Sequence, residues 1–363
     1  MKFLYYSPIS WPHLNERPSS FPHTNELYNH EQGVKLYNDS LELFQYAETV
    51  GFDWLGVGEE HMSVYGVVPN PCLIAAVLSR LTTHAKICIL GNPLPILNPL
   101  RVAEEYAMID VLSNGRLVAG FPRGVPQNYN AYNMNFEDSK EQLREAVCFV
   151  VRAWQEKGPF DWASKHYKFT NVSIWPQPKK MPDIVFSSKS KESISLAVQH
   201  KGILGEVYVK NKKVIEHFKN SVEVYISEAE QAGWKPESDR FLLSVPCFIA
   251  HNDKAAKTKA NVALSYVSNL ISGSFEMEKK LIEDTYYKDV FAMTSPSENL
   301  NERISYGGVI CGNPETVVKQ IRDLMSYLNI GILGLQMQVG NASSSDIKES
   351  LYLFGKYIKH ETY

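Results

Sequence analysis

Short apolar runs rich in β-branched and aromatic residues alternate with longer amphipathic stretches along almost the whole chain. "KFLYY" (2–6) reads as a strand. After a polar loop, Leu36, Leu41, Leu43, Phe44, Ala47 and Val50 recur with a period near 3.6. That spacing predicts a helix over 34–50, with Gly51 as its terminating glycine. The same rhythm places "FDWLGV" (52–57) before "PCLIAAVLSRL" (71–81), and "KICIL" (86–90) before "PLRVAEEYAMIDVLS" (99–113). "RLVAGF" (116–121) leads to "DSKEQLREAVCFVVRAWQ" (138–155), with Asp138 and Gln142 as capping candidates. Four more strands, at 183–188, 203–209, 241–250 and 331–339, each precede a helical segment. Strand-then-helix order implies parallel strands joined by right-handed crossovers, and eight such units predict an α/β fold closed as a (β/α)8 TIM barrel.

Two stretches break the rhythm. Residues 158–180 read as a β-hairpin excursion. Residues 271–310, with little periodicity and several Ser, Asn and Gly, read as a long insertion near the seventh strand–helix unit. Loops of that length serve as lids or are disordered. No linker rich in Pro, Gly or Ser divides the chain, so 1–363 reads as one domain.

Composition narrows the class of protein. With 44% hydrophobic and 21% charged residues the chain has enough apolar mass for a large core. A net charge of −3 gives no electrostatic reason for a nucleic-acid partner or an acidic membrane. The opening "MKFLYYSPISWPHLNERP" is too polar for a signal peptide, and no window approaches the roughly 18 apolar residues of a spanning helix. Cys72, Cys88, Cys148, Cys247 and Cys311 are scattered without a CxxC pair, which suits reduced thiols in a cytoplasmic protein and predicts no metal site.

In such a barrel the chemistry lies just past the C-terminal ends of the strands. Glu59, Glu60 and His61 follow the second strand, Gly91 and Asn92 the third, and Phe121, Pro122, Arg123 and Gly124 the fourth. Two carboxylates and an imidazole there either begin a solvated loop or are aimed into a site. The fifth strand ends in "SSKSKES", which opens a helix. Serines and lysines at a helix N-terminus suit phosphate, and Arg123 on the adjacent strand could supply a forked donor pair. The alternative is that Ser190 only caps the helix; with Arg123 beside it, the phosphate reading is preferred. Tyr5, Tyr6, Trp11, Tyr65, Phe121 and Tyr129 lie at or near strand ends, as mouth lining or as barrel packing. His84 and His200 read as surface residues. No GxGxxG, GxxxxGK[ST] or HExxH motif is present.

The segment from "FDWLGVGEEH" through "NPLRVAEEYAMIDVLSNGRLVAGFPRG" (98–124) resembles the bacterial luciferase-like flavin-dependent monooxygenases. It carries their Pro-x-Arg-x-x-Glu pattern followed by Leu-Ser-x-Gly-Arg, and "CGNPETVVKQIRDL" (311–324) is similar to their late helix start. The resemblance is dense over 50–150 and looser over 180–363. It implies the same barrel, with reduced FMN (FMNH2) in its mouth or, in one branch, a deazaflavin. O2 would react with the flavin to a C4a-hydroperoxide that oxygenates a small organic substrate. A separate flavin reductase would supply FMNH2, and two copies would pair through early helices as a homodimer.

Carried over residue by residue, Arg123 matches the arginine that grips the flavin phosphate, and Lys140 a second basic residue near it. Ser190 and Ser193 match the phosphate-binding hydroxyls. Gly91 and Asn92 lie where relatives place a non-proline cis peptide beneath the flavin ring. The 271–310 insertion corresponds to a mobile segment over the site. One departure stands out: relatives have Glu-His-His after the second strand, with the first histidine catalytic, and here Glu60 takes its place between Glu59 and His61. Either burial makes Glu60 a general base, or it turns away or binds a cationic substrate group. Two other readings remain open at this stage, a deazaflavin-dependent dehydrogenase and a non-catalytic flavin-binding protein or partner subunit.

Overall fold

The computed structural model describes residues 1–14, 22–209, 211–281 and 299–361, with 270–281 as backbone alone. Its strands are β1 (Lys2–Ser7), β2 (Trp54–Val57), β3 (Lys86–Ile89), β4 (Leu117–Gly120), β5 (Phe160–Ala163), β6 (Lys168–Val172), β7 (Asp183–Ser187), β8 (Ile203–Glu206), β9 (Phe241–Ile249), β10 (Ile310–Gly312) and β11 (Ile332–Gln336). Parallel pairing runs β1-β2-β3-β4-β7-β8-β9-β11 and returns from β11 to β1, closing an eight-stranded barrel. β5 and β6 form the antiparallel hairpin expected within 158–180.

Helices cover the barrel: α1 (His30–Thr49), α2 (Pro71–Leu81), α3 (Pro99–Leu112), α4 (Pro126–Ala131), α5 (Ser139–Gln155), α6 (Lys191–Gln199), α7 (Lys212–Gln231) and α8 (Asp253–Leu281). Further helices at Leu300–Ser305, Pro314–Leu328 and Ser344–Leu353 follow. Asparagine side chains cap many of the N-termini, with Asn70, Asn98 and Asn313 each accepting a first-turn N–H ahead of a proline. Gly51 follows α1 at φ 100, a conformation that costs glycine nothing.

The two-residue period of the strands sorts their side chains. Phe3, Tyr5, Leu55, Val57, Ile87 and Ile89 face the helices, while Leu4, Trp54, Cys88, Val118, Val185, Ile203, Leu242 and Ile332 fill the barrel. One step nearer the mouth the inward positions become small. By alternation Gly56, Gly120, Gly205 and Gly334 face inward, and Tyr6 and Leu90 are large residues among them. A Cβ at Gly334 would stand 2.5 Å from Ser244 Oγ, and one at Gly120 would stand 2.3 Å from the Ile89 carbonyl oxygen.

The structure corrects several expectations. α8 continues to Leu281 through the start of the expected insertion, and 300–305 are helical. Residues 282–298 lie outside the described residues, and with them the rest of the expected lid. β10 is an additional strand, pairing with the end of β9 because that nine-residue strand outruns its barrel neighbours. Asp138 does not cap α5; its carboxylate accepts from Asn135 Nδ2 at 3.0 Å. Tyr5 and Phe121 face the helical layer, against Phe44 and Tyr106 respectively, and do not line the mouth. His200 is half-buried against Phe186, and burial lowers its pKa.

The Leu-Ser-x-Gly-Arg motif lies at the bottom of the barrel and is structural. Arg116 donates to the carbonyls of Ser79, Thr82, Ala85 and Ser113 and to Thr82 Oγ1. The same turn is held from α1 by Glu48, whose carboxylate accepts from the backbone N–H groups of Thr83, His84 and Ala85 at 2.8–3.0 Å. Burial works to raise the Glu48 pKa, but these donors outweigh it and hold the pKa below its usual value. A depressed folded-state pKa gives stability that is complete above the unfolded value and fades as pH falls through the folded one. Glu48→Ala is therefore expected to cost about 2 kcal/mol in urea unfolding at neutral pH. The difference from wild type should shrink as pH drops below about 4; a difference independent of pH would contradict the assignment.

Candidate active site

The ends of β2 and β3 are tied together by one carboxylate. The Glu59 side chain is 2% exposed, and its Oε1 lies 2.6 Å from His61 Nε2. Its other oxygen accepts a hydrogen bond from Asn92 Nδ2. Asn92 Oδ1 in turn accepts from the Tyr106 hydroxyl at 2.7 Å and from Cys72 Sγ at 3.4 Å. Burial raises the pKa values of both Tyr106 and Cys72, so each stays protonated and donates. The orientation of the Asn92 amide follows, because its oxygen accepts from these two donors and its nitrogen must then face Glu59.

The same argument sets the imidazole. With Glu59 accepting at Nε2, a neutral His61 carries its proton there and leaves the lone pair on Nδ1. Nδ1 faces the Tyr132 hydroxyl at 3.5 Å, and the two rings meet edge to face with centroids 5.3 Å apart. Burial first and the Glu59 charge second raise the Tyr132 pKa, which keeps that hydroxyl protonated. His61 is thus a buried, oriented imidazole with one nitrogen directed at a half-exposed tyrosine.

Glu60 takes the opposite course. Its backbone N–H donates to the Val68 carbonyl at 3.0 Å. A Cβ added at Gly66 would stand 2.7 Å from Glu60 Cγ and 2.8 Å from the Pro8 carbonyl oxygen, so the side chain crosses that glycine. Its charge is felt by the phenols of Tyr6 and Tyr65. Burial chiefly raises both pKa values, and Glu60 adds to the rise. Tyr65 meets Tyr208 edge to face with centroids 6.0 Å apart.

The remaining predicted residues lie on neighbouring strand ends. The Leu90–Gly91 peptide is cis, and Asn92 N donates to the Gly120 carbonyl at 3.2 Å. The Arg123 guanidinium lies over the Phe136 ring at 4.5 Å, with Lys140 in the first turn of the following α5. β4 pairs with β7, and Phe121 N carries the contact further by donating to the Val185 carbonyl. Beyond β7, Ser190 caps α6, accepting from Ser193 N at 3.2 Å and donating to Ser193 Oγ at the same distance. Capping, the plainer of the two readings of Ser190, is therefore realised. Lys189 lies 3.5 Å from Glu206, which also accepts from Ser188 Oγ.

Sequence reasoning missed Tyr132, Tyr208, Gln127 and Asn128. The last two, on α4, each bury a side-chain oxygen that has no hydrogen-bond partner among the described residues. No motif signals such residues. No helix among the described residues is long and apolar enough to cross a membrane. No group of three or more His, Cys, Asp or Glu among them could hold a metal.

The model of the family described as luciferase-like monooxygenase matches residues 18–329. The oxygenase component of the flavin-dependent trigonelline monooxygenase of Acinetobacter baylyi is 26% identical over 284 residues, 73% of this chain and 73% of that protein. The crystal structure of monooxygenase RslO1 from Streptomyces bottropensis aligns with a TM-score of 0.79 at 21% identity, covering 99% of this chain and 98% of that one. The oxygenating constituent of 3,6-diketocamphane monooxygenase from Pseudomonas putida, in complex with FMN, aligns with a TM-score of 0.75 at 18% identity, covering 99% and 98%.

Proposed function

The chain belongs to the luciferase-like monooxygenase family, and from that premise we propose that it is the oxygenase of a two-component system. It takes reduced FMN from a separate reductase and uses O2 to oxygenate a small organic substrate in the barrel mouth. The observation that carries this reading is the pairing of β4 with β7, whose C-terminal ends lead into the Arg123 segment and the α6 N-terminus on the same rim as the Glu59–His61 pair. Arg123, with Lys140, Ser190 and Ser193, would hold the flavin phosphate through a fork of N–H donors and a favourable helix dipole. The buried oxygens of Gln127 and Asn128, without a hydrogen-bond partner among the described residues, suit a heterocycle with N–H donors. Gly91 and Asn92 contribute backbone at the edge of that space, since the Asn92 side chain is already committed to Glu59 and Tyr106.

When bound, reduced flavin supplies the electrons that activate O2. The chain's own part is to exclude water, hold the substrate and manage protons. His61 Nδ1 is the atom that accepts or returns a proton, and the Glu59 carboxylate on the far side of the ring stabilises the imidazolium so formed. Tyr132, half-exposed, connects that nitrogen to solvent. His61 therefore takes the proton-handling role one position after the residue that fills it in relatives.

A second copy of the chain completes the assembly. Leu73, Val77 and Leu81 on α2, with Met108, Val111 and Leu112 on the adjoining α3, form an exposed apolar face that a homodimer would cover.

Arg123→Ala should weaken FMN binding by about 1.5–3 kcal/mol in a fluorescence titration while leaving riboflavin binding unchanged; equal losses for the two ligands would remove the phosphate assignment. Reduced FMN bound to the wild-type protein should outlast free reduced FMN on mixing with O2, and equal lifetimes would overturn the monooxygenase reading. Val77→Asp should convert a dimer to a monomer in sedimentation, whereas a wild-type protein that already sediments as a monomer would refute the pairing.

A further inference from the structure

We propose that the side-chain oxygen of Gln336, at the mouth end of β11, accepts a hydrogen bond from the substrate, and that the substrate class is small organic molecules carrying an N–H or O–H donor. This rests on the reading of the mouth as an oxygenase site and names what that site selects.

Alternation along β11 turns Ile332, Gly334 and Gln336 into the barrel, with Gln336 nearest the mouth. Its side chain reaches across β9 to the end of β8. Nε2 donates to Ser244 Oγ on β9 at 3.2 Å and to the carbonyl of Val207, just past β8, at 2.7 Å. A backbone carbonyl only accepts, so the nitrogen and oxygen of this amide cannot change places. The planar group therefore sends Oε1 away from β8 and β9. Gln336 is 4% exposed, yet Oε1 has no hydrogen-bond partner among the described residues.

Gln338, two residues on and also buried, shows the ordinary outcome. Its oxygen accepts from Ser7 Oγ at 2.6 Å and its nitrogen donates to Ser40 Oγ at 2.9 Å. Gln336 keeps one end committed and the other open. A buried amide oxygen left without a donor is costly, and such exceptions mark the place of a ligand or a water. Because two bonds pin the nitrogen, the oxygen is aimed before any ligand arrives, and it discriminates against a molecule that would leave it unpaired. Only β1 separates β11 from β2, whose end carries the Glu59–His61 pair. At the usual strand spacing the acceptor stands about 10 Å around the rim from that end. A molecule of one or two rings spans the gap, with its donor on Gln336 and its other end toward His61.

The test uses phenol and fluorobenzene, which are close in size and differ in the O–H donor. Each is titrated into flavin-free protein by calorimetry and into the FMN-loaded protein by flavin absorbance. The wild-type protein should prefer phenol, although fluorobenzene is the more hydrophobic of the two. Gln336→Met keeps the length of the side chain and removes the acceptor, and should lower the phenol-to-fluorobenzene affinity ratio roughly fivefold or more. A ratio unchanged by Gln336→Met, in a variant with wild-type circular dichroism, overturns the proposal. So does a wild-type protein that binds fluorobenzene as tightly as phenol, a result that needs no variant to fold and leaves water as the partner of Oε1. Failure of FMN to bind would count against the oxygenase reading instead, because calorimetry on the flavin-free protein still reads the donor preference.

Discussion

A carboxylate with 2% exposure has to be satisfied on every side or the structure around it gives way, and Glu59 is such a group. Its two oxygens reach different elements, His61 at the end of β2 and Asn92 at the end of β3. That one constraint fixes the amide orientation of Asn92, the tautomer of His61 and the spacing of two strand ends. Behind Asn92, Tyr106 and Cys72 complete the network from α3 and α2, so the helical layer also registers on the site. The chemistry proposed for the mouth follows from this rigidity, since a base is useful only when the nitrogen that acts is held where the proton is.

The barrel supports the arrangement by being dense below and thin above. Leucine, isoleucine, valine and Trp54 fill the lower interior, and glycines occupy several positions of the next inward layer. The small residues let strand ends approach closely while Tyr6 rises among them to meet the β2 loop. Glu59 and Glu60, neighbours in the chain, send their side chains to different places, Glu59 to Asn92 at the end of β3 and Glu60 across Gly66.

Much of the fold was legible in the sequence because the apolar period changes cleanly from two to 3.6 at each β-to-α junction. β10 was not, since three residues in a glycine-rich stretch carry no period and pair only because β9 is long. The continuation of α8 was hidden by the weak periodicity of its second half. Asp138 had the right residue type for a cap but has helical dihedral angles, so its side chain bonds to Asn135 instead. At the site, the strand-end rule found Glu59, Glu60, His61, Asn92 and Arg123. It could not rank them, because the bond from Asn92 to Glu59 spans 33 residues and Tyr132 reaches His61 from 71 residues away. Alternation within strands would have separated inward Tyr6 from outward Tyr5, a distinction that proximity to a strand end does not make.

The central claim is that Glu59 holds His61 with its proton on Nε2 and its lone pair on Nδ1. Nitrogen-15 NMR of histidine-labelled protein, with His61 assigned by comparison with His61→Gln, reads this directly at a pH where the ring is neutral. The account predicts a protonated Nε2 and an unprotonated Nδ1 in the wild-type protein, and loss of that single-tautomer signature in Glu59→Leu. A His61 protonated at Nδ1, or averaging between tautomers with Glu59 intact, would contradict it.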